Sequence, residues 1–359
     1  MNYKIINIKN LSNYENVWKS LLVESKFFWF FNNLEYYKFH HQYLKEKKIL
    51  FKDETFFVEK DNKIISLVVL LINKEGKKIY SSYLNRPLPF PLLSDEVINK
   101  QDCYDFIFQT IDLICKRNKV GKISFSLNNN QKNKIYPKIF YNCIKKFSYI
   151  DNSFKSHLLD LNMKKFGFRK SYLQIINKIF KNYEVKIVDK NNLNDYHIKE
   201  YMSIHTKASG SIIRSFKTYK IQFDEIKNNN GFLINVHEKI KSKIVGSLMV
   251  FHDKKSAYYA SVAVLPEESK NYINHLMKKY AIDYLIRLDV KEYELGRMFA
   301  SSNYNYIVNE KEIQISFFKD GWTRENYKTN YVAEKFFIKE DFEDEINTKV
   351  KRIKKFFNL

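Results

Sequence analysis

The chain is short of the residues that would mark a secreted, fibrous or metal-centred protein. Of its 359 residues, 3 are cysteine, 8 glycine and 5 proline. Cys103, Cys115 and Cys143 fall in one third of the chain without Cys-x-x-Cys spacing, so the sequence offers neither a disulfide framework nor a zinc site. His40 and His41 are adjacent and have no carboxylate at helical ligand spacing, and no metal is expected. So little glycine and proline leaves no long flexible linker and no low-complexity segment. The longest apolar run, near residues 64–72, is too short to cross a bilayer as a helix. The first residues lack a charged region followed by a long apolar one, so no secretory signal is read and the expected location is the cytoplasm. Carboxylates are also scarce: 62 Lys and Arg stand against 40 Asp and Glu, a formal charge of +22. That excess draws polyanions such as tRNA, nucleotide-linked sugars, acyl-CoA or an anionic membrane surface, through forces that salt weakens. Its lysines are dispersed and form no clustered patch, so no DNA partner is expected, and a lysine-rich background composition is the alternative source of the charge.

Apolar and aromatic residues are abundant, at 45% and 16% of the chain, with 30 Phe and 26 Tyr. A chain of this length and composition supplies enough core for two domains. Apolar spacing predicts helices over 13–22 and 34–47, then a hairpin of strands over 54–60 and 64–72 turning at Asp61-Asn62. Residues 84–93 hold Pro87, Pro89 and Pro91, which remove amide donors and predict a rigid extended loop. A helix over 102–117 and a strand over 122–127 follow. The second half repeats the order, with helices over 167–181, 195–208 and 216–228, strands over 232–238, 244–252 and 256–264, a long helix over 271–289 and a strand at Tyr293-Glu294-Leu295. Residues 315–321 read as one more strand that delivers Lys319 into a turn. The expected fold class is α/β (α+β): two domains, each a mixed, mostly antiparallel sheet flanked by helices. Their expected bounds are 1–155, completed by a C-terminal helix over 340–359, and 156–339.

Strand, strand, Val264-Leu265-Pro266, long helix and strand is an order that resembles the core of the GNAT acyltransferase fold. In CoA-dependent members a glycine-rich turn before that helix offers backbone amides to the pyrophosphate. Here the corresponding residues are Glu267-Glu268-Ser269-Lys270-Asn271-Tyr272, with two carboxylates and no glycine. This topology without the turn is similar to the FemABX family of peptidoglycan-bridge aminoacyltransferases, which carry two such domains. The likeness rests on Arg169-Lys170-Ser171-Tyr172 before an Ile-rich stretch; on His205, Ser209-Gly210, Arg214-Ser215 and Lys217-Thr218-Tyr219; and on Ala257-Tyr258-Tyr259-Ala260-Ser261. Tyr293 to Gly296 and the Phe318-Lys319 pair complete it. Tyr219 stands where sugar-associated relatives have Trp, Ser211 replaces an Arg, and the coiled-coil arm of the bridge-forming enzymes is missing.

The resemblance implies that Lys319 stabilises the tetrahedral intermediate of acyl transfer, for which a fixed cation beside the carbonyl is the main requirement. A solvated strand-end lysine is the structural alternative. His205 is a candidate general base because an ordinary imidazole titrates near neutrality. Arg214 and Arg169 are candidate anion contacts, or alternatively an ion pair and a solvated turn. Tyr258 and Tyr259 alternate across their strand, so one faces a cleft and the other the core. Glu294 points away from Tyr293 and Leu295, either toward an incoming amine or into solvent, and Gly296 suits a close backbone approach or a positive φ. Phe318 joins this substrate-binding set. The basic, amphipathic stretch over 350–359 suits anionic lipid, tRNA or packing on the first domain.

These readings predict a transferase that forms an amide on an amine of a cell-envelope precursor or surface sugar, the acceptor being nucleotide- or lipid-linked sugar or peptide. No permanent cofactor is expected, and the donor is aminoacyl-tRNA or acyl-CoA. The alternatives are a CoA-dependent N-acyltransferase of surface glycan biosynthesis and a non-catalytic basic binding protein on the same fold.

Overall fold

The computed structural model describes residues 3–8, 11–25, 29–84, 86–128, 135–163, 166–253, 255–299 and 306–358. The chain forms two compact units, one of residues 1–155, 301–309 and 329–359, the other of residues 156–300 and 310–328.

In the first unit the elements are β1 (Tyr3–Asn7), α1 (Glu15–Glu24), α2 (Leu34–Glu46), β2 (Leu50–Asp53), β3 (Phe56–Lys60), β4 (Lys63–Val68), β5 (Leu71–Glu75), β6 (Lys78–Ser81), β7 (Leu88–Pro89), β8 (Leu92–Leu93), α3 (Lys100–Arg117), β9 (Lys122–Asn128), α4 (Ile135–Lys146) and β10 (Ile150–Asp151). Strands β1, β3, β4 and β8 make one antiparallel sheet. The proline-rich stretch is no plain loop, since Leu88, Leu92 and Leu93 are buried and β7 lies parallel to β9. The prolines alternate with donors, and Phe90 between two of them gives its N–H to the Ser126 carbonyl at 2.8 Å, so no ladder bond is forfeited there. The core is aromatic, with Trp18, Phe56, Tyr104, Phe108 and Phe140 buried.

In the second unit the order is β11 (Phe154–Asp160, whose first two residues count with the first unit), α5 (Lys170–Ile179), β12 (Tyr183–Val188), α6 (Asp195–Ser209), α7 (Phe216–Lys227), β13 (Gly231–Glu238), β14 (Lys243–His252), β15 (Ser256–Val264), α8 (Ile273–Arg287), β16 (Glu292–Arg297) and α9 (Glu310–Thr323). Next come β17 (Tyr327–Phe336), which begins in this unit and ends in the first, and α10 (Lys339–Phe357). The sheet runs β12-β13-β14-β15-β16-β11. All neighbours in it are antiparallel except β15 and β16.

One element differs in kind from its sequence reading. Residues 310–323 are helix, not a strand and turn. The alternation of Ile313, Ile315 and Phe317 that suggests a strand lies on exposed helix surface, while Ser316, Gly321, Trp322 and Thr323 are buried. Gly321 is a packing glycine and not a turn residue, because the ring and hydroxyl of Tyr172 stand within 2.5 Å of where its Cβ would be. Phe318, Trp322, Tyr172 and His275 interlock as rings, tying α9 to α5 and α8.

Helix α10 turns Glu345 toward Lys122 and leaves Phe342, Ile346, Val350, Phe356 and Phe357 exposed. Among the described residues no helix is long and apolar enough to cross a membrane.

Candidate active site

The opening in the second unit follows from strand pairing. β15 and β16 pair at only three positions, Ser256 with Glu292, Ala257 with Tyr293 and Tyr258 with Glu294, and then part. Each strand carries a bulge where they separate. On β15 Ala260 is the extra residue between the partners of Met249 and Val250, and on β16 Leu295 is the extra residue between the partners of His157 and Leu158. A bulge bends and twists its strand, which keeps the two from zipping further. Gly296 completes the second bulge at φ +89°, a backbone conformation that an L side chain rarely adopts.

Lys319 reaches this place from α9. Its Nζ donates to the Arg297 carbonyl at 3.3 Å, and a Cβ on Gly296 would lie 3.3 Å from the same nitrogen. Glycine therefore serves both the backbone turn and the approach of the ammonium. Burial lowers the Lys319 pKa to about 8, against a smaller opposing pull from Glu294. The group remains mostly charged at neutral pH and loses its charge not far above it.

Further residues surround it that the sequence reading did not single out. Lys328 at the start of β17 holds Glu294 at 2.8 Å in a buried ion pair. Glu294 is therefore committed to a protein cation. Lys278 of α8 is 2% exposed and places its Nζ 3.4 Å from the Tyr259 ring centre and 5.1 Å from that of Tyr293. His157 on β11 has Nε2 2.8 Å from the Ser316 hydroxyl and Nδ1 3.2 Å from Asp320. The second contact is within ion-pair distance but misaligned for a hydrogen bond. The Ser-His-Asp order imitates a nucleophilic triad, yet Ser316 is 4% exposed and its oxygen already accepts the Phe299 N–H at 3.0 Å. This trio clamps α9 to the sheet. Burial, helped by the nearby charges of Lys319 and Lys278, lowers the His157 pKa to about 4, while Asp320 opposes them.

His205 and Arg214 belong to a second group on α6 and the loop before α7. His205 Nε2 lies 3.3 Å from the Ser261 hydroxyl on β15, and its ring packs on Tyr201. Burial first, and Arg214 second, lower its pKa to about 4, so it is neutral at pH 7 and a weaker base than an ordinary imidazole. Arg214 donates to Gln222 at 2.8 Å and stacks on Tyr219 at 4.5 Å. Tyr259 touches both groups: Lys278 sits on its ring, and burial followed by Tyr201 raises the pKa of its hydroxyl. Tyr258 pairs with Phe251 on one side and Glu294 on the other and is partly buried. Arg169 caps α5 and stacks on Phe317 at 3.9 Å, on the outer side of α9, while Phe318 packs in the ring cluster. Lys319, Gly296, Glu294 and Tyr259 are thus gathered at the opening; His205 and Arg214 are joined to it through Tyr259 and Ser261.

A separate depression of about 380 Å³ is lined by Gly167, Arg169, Lys170, Asp320, Gly321 and Arg324, among others, but not by Lys319 or Tyr259. The stretch before α8 is a 3-10 turn at Pro266–Glu268, where Glu267 pairs with Lys243 and Glu268 accepts from Tyr183 and Asn271. Carboxylates occupy the position where a pyrophosphate-binding turn would present amides. Among the described residues no three His, Cys, Asp or Glu side chains group as metal ligands.

No protein-family model and no curated protein sequence matches the chain. Solved structures do. FemX matches 96% of this chain and 99% of its own at 10% identity and a TM-score of 0.64. L-PGS from Bacillus licheniformis matches 93% of this chain and 95% of its own at 11% identity and a TM-score of 0.58. A tandem GNAT protein from the clavulanic acid biosynthesis pathway matches 93% and 98% at 8% identity and a TM-score of 0.52. At such identities the likeness is one of fold, and the fold is a tandem GNAT fold.

Proposed function

We propose that the protein transfers an acyl or aminoacyl group to an amine, with the reacting carbonyl in the opening between β15 and β16 and Lys319 as the cation that meets its oxygen. One observation carries this reading: a partly buried ammonium, with no carboxylate at ion-pair distance among the described residues, is held at the bulge of Gly296 where the two strands part. In the reaction the neutral amine attacks the carbonyl carbon, and the oxygen becomes negative beside Lys319. The intermediate then collapses with loss of the donor's oxygen or sulfur leaving group, and the amine's proton passes to solvent or to that leaving group. A preformed cation in a site with little water favours the charged intermediate over the neutral ground state.

Aminoacyl-tRNA is the donor we favour over acyl-CoA. The charge of +22 suits a polyanion, and Glu267 and Glu268 stand where a pyrophosphate would be gripped. FemX and L-PGS share the fold, which supports an acceptor in the cell envelope, an amine on a precursor or surface sugar. Contact with an anionic membrane has its own support in α10, whose exposed Phe356 and Phe357 follow Lys351, Arg352, Lys354 and Lys355. The test is transfer of a labelled aminoacyl group from charged tRNA to an amine acceptor by wild type and by Lys319→Met. Loss of transfer in a folded variant supports the reading. Equal transfer by both sinks it, and a thermal shift with acyl-CoA but no protection of charged tRNA moves the donor to CoA. A variant with unchanged cellular phenotype would favour a non-catalytic binding protein.

A further inference from the structure

Among the described residues of the second unit, buried lysines outnumber the carboxylates beside them. Lys278, Lys319 and Lys328 gather around the end of β16, with two carboxylates near them, Glu294 and Asp320. Glu294 is taken by Lys328, and Asp320 accepts from Tyr327 at 2.8 Å and faces His157. Neither Lys278 nor Lys319 has a carboxylate at ion-pair distance among the described residues. Lys278 is the more extreme, since it is 2% exposed and its Nζ lies over the faces of Tyr259 and Tyr293. An unpaired buried ammonium is costly, and ring faces offset only part of the cost. A core built for stability alone would place an apolar side chain there, as it does at Ala281, Ile282 and Leu285 on the same face of α8.

We propose that Lys278 and Lys319 together form a seat for one anionic oxygen group of the substrate, a carboxylate or a carboxylate-like oxyanion, at the opening between β15 and β16. The proposal rests on the acyl-transfer reading for what the anion becomes in the reaction, but not for the seat itself. In the empty site burial, and then the charge of Lys319, drive the Lys278 pKa well below that of a free lysine. The other groups facing it do not restore the proton: Tyr259 and Tyr293 are neutral phenols with raised pKa values, His157 is neutral, and Glu294 is spent on Lys328. An arriving anion supplies the missing charge, so Lys278 takes up a proton as the anion binds. Binding is therefore tighter at lower pH.

The probe is sodium acetate, against sodium chloride at equal ionic strength, read by thermal unfolding and titration calorimetry on the full chain. Wild type is expected to gain stability from acetate beyond chloride at pH 6.5, and to take up protons on binding at that same pH, where Lys319 is already charged. Lys278→Met should bind acetate about tenfold more weakly, equivalent to ~1.4 kcal/mol, and show no proton uptake. Lys278→Arg should keep the binding but not the proton uptake, because guanidinium stays charged. Should Lys278→Met fail to fold, Lys319→Met supplies the comparison, with the same loss expected. Acetate binding equal in wild type and variant, or no acetate effect beyond chloride in wild type, overturns the seat. The two readings fail separately: a working seat in a protein that transfers nothing rejects acyl transfer, and Lys319-dependent transfer without a seat rejects this inference.

Discussion

The two polar groups of the second unit contrast in how their cations are held. Around His205 the cation is already answered, because Arg214 donates to Gln222 and lies on the Tyr219 ring. Around Gly296 two lysines have no carboxylate at ion-pair distance among the described residues, and the carboxylates nearby are engaged elsewhere. The first group has the character of a scaffold whose cation is held by a side-chain amide and a ring face. The second holds positive charge that folding alone leaves uncompensated, and perturbed cations in a strand opening are where chemistry on a developing anion is expected. The contrast therefore ranks Lys319 above His205 and Arg214 as the place to look for activity.

The strongest way to break this ranking is Lys319→Met, for which we expect transfer to fall by about a hundredfold or more with the fold retained. The pH profile sharpens it. A lysine whose pKa is lowered to about 8 is charged below that pH and neutral above it, so transfer should fall on the alkaline side with a midpoint near 8. In Lys319→Arg any residual activity should lack that limb, since guanidinium does not titrate there. A limb that persists unchanged would assign the titration to another group.

Next in size is Lys328→Met, which tests the part of this region that is internally paired. Glu294 would be left buried without its cation, and unfolding free energy should drop by about 3 kcal/mol, measured by denaturant titration. The loss should be smaller at low pH, where the stranded carboxylate can protonate.

Much of this arrangement was legible from residues next to one another in the chain. The order of strands and helices from 216 to 297 follows from apolar spacing, and Gly296 from the need for a positive φ at a strand end. Residues 310–323 misled because Ile313, Ile315 and Phe317 alternate on a helix surface, and because Gly321, which makes room for Tyr172, mimics a turn. Lys328, His157 and Asp320 carried no local signal, since the ion-pair distances that join Lys328 to Glu294 and His157 to Asp320 span 34 residues or more of the chain. Lys278 did carry one: at the spacing of Ala281, Ile282 and Leu285 it falls on the apolar face of α8, where a lysine is out of place. Burial, which spacing only outlines, separates such a lysine from a solvated one.

Gly296→Ala has a more modest expected effect and probes the meeting of backbone and cation. The new methyl must adopt the φ of +89° and stand 3.3 Å from Lys319 Nζ, so we expect a stability loss of about 1–2 kcal/mol. Transfer should fall about tenfold through displacement of the ammonium. A loss of stability with kcat unchanged would show that the bulge shapes the strand without positioning the lysine.

The smallest effect belongs to the other side of the comparison. Arg214→Met removes a cation–π contact and a hydrogen bond to Gln222, and stability should fall by about 1 kcal/mol. It also removes the charge that, after burial, holds the His205 pKa down, so the imidazole should titrate closer to its ordinary value. If His205 and its neighbours only support β15, the alkaline limb near pH 8 stays where it is and no new acid limb develops. A new limb in the acid range would mean that His205 exchanges protons with the reacting groups, and the division between a supporting scaffold and a reactive site would give way to one continuous site spanning both.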